Sequence, residues 1–240
     1  MTRIVLVHGA WHGAWCWDGV SAELGARQID AVAVELPFTG FADDVDVVRS
    51  AIGSASQGVV VCAHSYGGAV VSQAVTQLTN VGHLVYLAAF VNTGGASALT
   101  ERPISLLEAI VPAGAQCSFD PRFAQSIFYG DSQPETVAAI APRLRPMVLD
   151  AAAIAATPSA PRTVPSTYIV CSRDGAIPPE AQLQMAQGLD RVVVWPTDHS
   201  PFLTRPGDVA DLLELTLTAK VATTSFYGRR RLRVCSPWVL

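Results

Sequence analysis

Six short runs of Val, Ile and Leu recur along this chain, and they are apolar at nearly every position rather than at every second one. A strand with one wet face alternates; a strand covered on both faces does not. The pattern therefore points to a parallel sheet between two layers of helix. The runs fall at about 3–8, 30–36, 58–63, 83–90, 166–172 and 191–195. Helices are expected between them at about 14–27, 43–55, 66–79, 179–188 and 206–219. The second of these opens with Asp43, Asp44 and Asp46, acidic groups that suit the positive end of a helix dipole. Repeated β-α-β order implies an α/β fold, doubly wound around a mostly parallel six-stranded sheet.

The rhythm stops between residues 92 and 162. Pro103, Pro112, Pro121, Pro134, Pro142, Pro146, Pro158 and Pro161 lie there among short helical pieces, and the run Ala151–Ala156 reads as helix. A connection this long is more often a functional insertion than a plain loop, so it is read as a cap, or lid. The expected division is a core over 1–91 and 163–220, a cap over 92–162 and an atypical basic tail over 221–240. The tail carries Arg229, Arg230, Arg231 and Arg233 and is expected to take no part in catalysis.

Composition narrows the classes of function. A chain of 240 residues, 50% apolar and 15% charged, can bury a sizeable core. Its net charge of -4 offers little to nucleic acid or an anionic membrane, and Lys220 is the only lysine. Cys16, Cys62, Cys117, Cys171 and Cys235 are dispersed without a C-x-x-C pair, which argues against a disulfide framework and a zinc site. His8 and His12 straddle a strand end and a loop with no third ligand nearby, so neither metal nor other cofactor is expected. The run Ile4–Val7 is too short for a secretory signal, and no stretch reaches the roughly 18 apolar residues of a membrane span. The expectation is a soluble cytoplasmic protein whose partner is a small molecule, with a homodimer as the assembly to test.

Chemistry concentrates between Val59 and Gly68. An apolar run through Ala63 meets His64-Ser65-Tyr66-Gly67-Gly68, and Ala69-Val70-Val71 continues as helix. A sharp strand-to-helix turn strains the serine backbone, so the residues two places to either side must be small; Ala63 and Gly67 are. Such a turn presents Ser65 Oγ as a nucleophile and aims the Tyr66 N–H at an oxyanion. The second donor is expected from the loop after the first strand, at Ala10 N–H in Val7-His8-Gly9-Ala10-Trp11.

A base belongs at the carboxyl end of the sheet, where a doubly wound fold places its site. Of the five histidines, His199 meets that need: it follows Val192–Trp195 and precedes the last long helix. The acid should fall between serine and histidine in chain order. Asp174, just past the run Tyr168–Ser172, is placed to hold His199 Nδ1–H, with Glu180 and Asp198 as rivals.

The stretch from His8 to Trp17 resembles the H-G-x-x-H-G-A-W-x-W opening of the plant methyl esterase and hydroxynitrile lyase family, within the α/β-hydrolases. Phe128-Tyr129 through Arg145-Pro146, Asp174 through Glu180, and Asp198-His199 extend the likeness over about residues 3–215. The resemblance implies an α/β-hydrolase fold with Ser65, Asp174 and His199 as triad and the N–H groups of Ala10 and Tyr66 as oxyanion donors. Ala63 departs from the more usual glycine of the elbow. The implied activity is a carboxylesterase acting on small apolar esters through an acyl-enzyme on Ser65. Trp11, Phe123, Phe128, Tyr129 and Met147 are expected to line the substrate pocket. Two other readings stay open: a hydroxynitrile lyase with the same triad, and a non-catalytic small-molecule receptor. The lyases place a lysine after the histidine and a threonine in the first loop, where this chain has Ser200 and Gly9.

Overall fold

All six apolar runs become strands of one sheet. The computed structural model describes residues 3–55, 58–91, 104–150, 154 and 163–223. The strands, in chain order, are β1 (Arg3–Val7), β2 (Asp30–Val34), β3 (Val59–His64), β4 (Val81–Leu87), β5 (Ile110–Ala113), β6 (Gln116–Phe119), β7 (Ser166–Cys171) and β8 (Arg191–Trp195). Six of them form a sheet in the order β2-β1-β3-β4-β7-β8, with every pairing parallel.

Successive side chains of a strand face opposite sides, and here both sides are dry. Ile4, Leu6, Val60 and Cys62 pack on one face with Val20 and Leu24 of α1 (Asp18–Ala26) and with Val209 and Leu213 of the helix Pro206–Thr223. Val5, Val7, Val61 and Ala63 pack on the other with Val45, Val48 and Ile52 of α2 (Phe41–Gly53) and Val70 and Val71 of α3 (Tyr66–Ala74). Each such fully buried Val, Leu or Ile stabilises the fold by about 1.5–3 kcal/mol. The outermost strand β8 departs from the expectation of two covered faces. Val192 and Val194 are exposed because β8 is an edge strand with β7 as its neighbour.

The strand order also fixes where a site can form. From β1 the chain moves one way to β2, then crosses back to β3 on the other flank of β1. That reversal opens a crevice beyond the carboxyl ends of β1 and β3, where the His8–Trp11 loop and Ser65 lie.

Between β4 and β7 the expectation of short helical pieces holds in part. Helices Ile104–Ala109, Ala124–Ile127 and Pro134–Ile140 form, but so does an antiparallel hairpin of β5 and β6. Gly114, at φ +63°, opens its two-residue turn, and Cys117 pairs further with Met147. Helix 66–79 ends early, its α-helical part stopping at Ala74 and a 3-10 turn continuing to Gln77. Most of the run Ala151–Ala156 and the tail from residue 224, with its arginines, lie outside the described residues. Among the described residues, no helix is long and apolar enough to cross a membrane.

Candidate active site

Strand β3 ends at His64 and α3 begins at Tyr66, so Ser65 alone turns the chain, with φ 52° and ψ -124°. A side chain in that region costs about 1–3 kcal/mol and persists only where the surroundings over-determine it. Here Ser65 N–H donates to Leu87 O at 3.3 Å, while its carbonyl accepts from Gly68 N and Phe90 N, each at 3.0 Å. Close approach demands glycine on both sides. A Cβ on Gly67 would lie 2.6 Å from His8 O, and one on Gly9 would lie 2.8 Å from Ser65 Cβ. The first loop is thus pressed against the serine, with Ala10 one residue further on.

The histidine and the acid meet. His199 Nδ1 donates to Asp174 Oδ2 at 2.7 Å, with both side chains almost wholly buried. Asp174 Oδ1 accepts from Ala176 N and Ile177 N at 2.7 and 2.8 Å, and Oδ2 also accepts from Gln182 Nε2 at 2.8 Å. The rivals are occupied elsewhere. Glu180 sits in the first turn of the helix Pro179–Met185. Asp198 accepts from Ser200 N at 2.9 Å and from Asp131 N at 3.0 Å. Asp131 returns the contact by accepting from Asp198 N at 2.9 Å and binds Arg173 Nη2 at 2.8 Å. Burial raises the Asp198 carboxyl above its ordinary range.

Three further histidines surround the site as neutral scaffold. His64 Nε2–H donates to the His199 carbonyl at 2.9 Å, and the two rings are 4.5 Å apart. His8 bonds through Nδ1 to Gly9 O at 2.9 Å and accepts Leu36 N–H on Nε2 at 3.0 Å. His12 donates from Nδ1 to Ala10 O and accepts the Tyr129 hydroxyl on Nε2, both at 2.8 Å. Burial lowers His8 to about 3 and His12 to about 4, and it depresses His64 as well. Burial also pushes the Cys62 thiol up to about 12, which removes it as a nucleophile.

An aromatic wall closes over the base. The Phe128 ring lies 5.6 Å from that of His199 and 4.4 Å from Phe119, and Trp11 lies 5.5 Å from Phe119. Of the other residues expected in the pocket, Phe123 is half-buried on the turn Pro121–Phe123. Met147 is fully buried beside Cys117, and the Tyr129 hydroxyl is held by His12. Arg145 ties this wall to the first loop. Its backbone N–H donates to Trp11 O at 2.7 Å, its Nη2 reaches Leu36 O at 2.9 Å, and it pairs with Glu35.

Two buried polar side chains carry contacts that no local pattern announces. Gln182 is a polar residue on the core-facing side of its helix, between buried Ala181 and Met185, and that misfit signals its burial but not its partners. Asp44, expected to serve the helix dipole, is fully buried. It accepts Tyr66 O–H at 2.6 Å and Phe38 N–H at 2.9 Å, and burial raises its carboxyl above the ordinary range.

A doubly wound parallel sheet, a strained serine at a strand–helix elbow and a buried His–Asp pair at neighbouring strand ends together define a hydrolase-type scaffold. A family model described as the alpha/beta hydrolase family matches residues 4–212, and the chain belongs to that family. It is 28% identical over 235 residues to the alpha/beta hydrolase nvfD of Aspergillus novofumigatus, covering 88% of this chain and 94% of that one. It is 26% identical to methylesterase 7 of Arabidopsis thaliana, again over 88% and 94% of the two chains. The solved structure of methylesterase MES16 from Arabidopsis shares the fold, with a TM-score of 0.77 at 23% identity over 91% of this chain and all of that one.

Proposed function

We propose that this protein is a serine carboxylesterase that cleaves small apolar esters through an acyl-enzyme on Ser65. The observation that carries the reading is the strained Ser65 elbow, with the Gly9 loop against it and His199 bound to Asp174 nearby. Donation of Nδ1–H to Asp174 leaves Nε2 as the basic nitrogen of His199. That nitrogen takes the proton from Ser65 Oγ as it attacks the ester carbonyl. The N–H groups of Ala10 and Tyr66 hold the tetrahedral oxyanion, each contributing about 2.7–4 kcal/mol. His199 then protonates the leaving alcohol, and water, activated by the same base, releases the acid. Of the cap expected over 92–162, the described residues 104–150 cover this site, and Trp11, Phe123, Phe128, Tyr129 and Met147 shape a small apolar pocket beneath it. Methylesterase-named relatives suit the esterase reading, and the dispersed cysteines of the sequence fit an enzyme at work in a reducing cytoplasm.

Cyanohydrin cleavage is disfavoured on space as well as charge. A threonine in place of Gly9 would set its Cβ 2.8 Å from Ser65 Cβ, and the buried residue after His199 is a neutral serine rather than a cation. A buried ammonium beside departing cyanide is worth several kcal/mol at the reduced dielectric of a pocket, and Ser200 cannot supply it. The test sets p-nitrophenyl acetate and butyrate hydrolysis beside cyanide release from mandelonitrile and acetone cyanohydrin. Ester turnover without cyanide is expected. Cyanide release with negligible ester turnover overturns the proposal, and failure to react with a fluorophosphonate favours a receptor.

A further inference from the structure

Gln182 occupies a place that the chemistry above leaves unexplained. It is fully buried, eight residues past Asp174, and touches three parts of the site support at once. Its Oε1 accepts the N–H of Cys171, the last residue of β7, at 2.9 Å. Its Nε2 donates to Ile177 O and to Asp174 Oδ2, both at 2.8 Å. This pattern fixes the orientation of the amide. Cys171 N–H needs an acceptor and the other two partners need donors, so exchanging oxygen for nitrogen would break every contact.

A carboxylate offers about four lone-pair directions. In Asp174 two on Oδ1 are taken by Ala176 N–H and Ile177 N–H, and two on Oδ2 by His199 Nδ1–H and Gln182 Nε2–H. Gln182 therefore supplies the one side-chain amide in the set, and it binds the same oxygen that receives the histidine. Without it, Oδ2 keeps an unsatisfied buried lone pair, and the carboxylate can turn about its last torsion. Charge also gathers on the oxygen facing His199, drawing the Nδ1 proton toward the acid.

We propose that Gln182 is a positioning residue of the hydrolytic site, holding Asp174 Oδ2 in line with His199 and keeping the shared proton on the imidazole. The catalytic consequence rests on the esterase reading; the hydrogen-bond geometry does not. Its effect belongs to the transition state, where His199 becomes cationic, so kcat should fall while KM stays nearly constant.

The experiment compares the wild-type chain with Gln182→Met, which keeps the volume, and Gln182→Glu, which keeps an acceptor for Cys171 N–H. Ester kinetics are read beside the far-downfield imidazole N–H resonance in proton NMR spectra of histidine-labelled protein. A misplaced catalytic group costs up to about 100-fold, so a 10- to 100-fold loss in kcat is expected in both variants, with KM within about twofold. The downfield resonance should shift or vanish. A folded variant with wild-type kcat, or one whose resonance stays in place, overturns the assignment. Retained kcat in Gln182→Glu alone, at a pH where the new carboxyl is ionised and has no proton to donate to Asp174, would mean that Gln182 only anchors the end of β7, and this variant also decides the matter if Gln182→Met does not fold. If the wild type hydrolyses no ester, the esterase reading fails, and the resonance still tests the role of Gln182.

Discussion

Acidification should destabilise this protein well above the pH at which its carboxylates are ordinarily protonated, and the cause lies in its buried histidines. His8 and His12 are fully enclosed, and burial holds them near 3 and 4 in place of 6.5. The unfolded chain takes up protons on both below about pH 6.5, while the folded chain refuses them until far lower. Stability from each is thus complete above that value and drains away as pH falls through the window. At pH 5 each site has lost about 1.5 pH units of differential binding, or about 2 kcal/mol. His64, depressed in the same sense, adds to the loss. Asp44 and Asp198, raised by burial, oppose it, because the folded state holds their protons more tightly than the unfolded chain does. The net expectation is a loss of about 2–4 kcal/mol between pH 7.5 and 5, a large share of an ordinary domain's 5–15 kcal/mol. Urea unfolding at pH 7.5, 6 and 5 measures it. His12→Asn removes one of these titrations, so it should start less stable yet lose about 2 kcal/mol less over the same interval. A flat stability profile, or a His12→Asn profile parallel to the parent's, would refute the reasoning.

Tyr129→Phe strips the hydroxyl that donates to His12 Nε2 and leaves a buried acceptor unpaired. A loss of about 1–3 kcal/mol in denaturant unfolding is expected, and no change would mean that this bond carries nothing. Ala10→Pro deletes one oxyanion donor and should lower kcat by about 10²–10³, with a crystal structure of the variant showing an undisturbed loop. Unchanged turnover would place the oxyanion hole elsewhere.

Features set by local order were readable in the chain, and features set by distant partners were not. The strands show as uninterrupted apolar runs because both sheet faces are covered, and the elbow shows because its strain restricts residues only two places away. Asp174 and His199 follow from chain order and strand ends. By contrast, Asp44 suits a helix dipole by its place in the chain, and its burial depends on partners such as Tyr66, 22 residues on. The pairing of Asp131 with Asp198 spans 67 residues and leaves no local pattern. The β5–β6 hairpin hid behind Pro112, which weakens any strand reading, although Gly114-Ala115 between Ile110-Val111 and Cys117-Ser118-Phe119 was a usable turn signal. The exposure of β8 could not be read from its composition, because Val-Val-Val-Trp suits an interior strand as well as an edge.

The most direct test of the account is covalent trapping at Ser65. Wild-type protein is incubated with a fluorophosphonate, and the modified residue is located by peptide mass spectrometry, with Ser65→Ala carried through the same ester assay. The account predicts one label per chain, on Ser65, lost in the variant, together with a fall in turnover of about 10⁶ in a chain that still folds. Labelling at another residue, or a folded Ser65→Ala protein keeping a tenth of the wild-type rate, would contradict it.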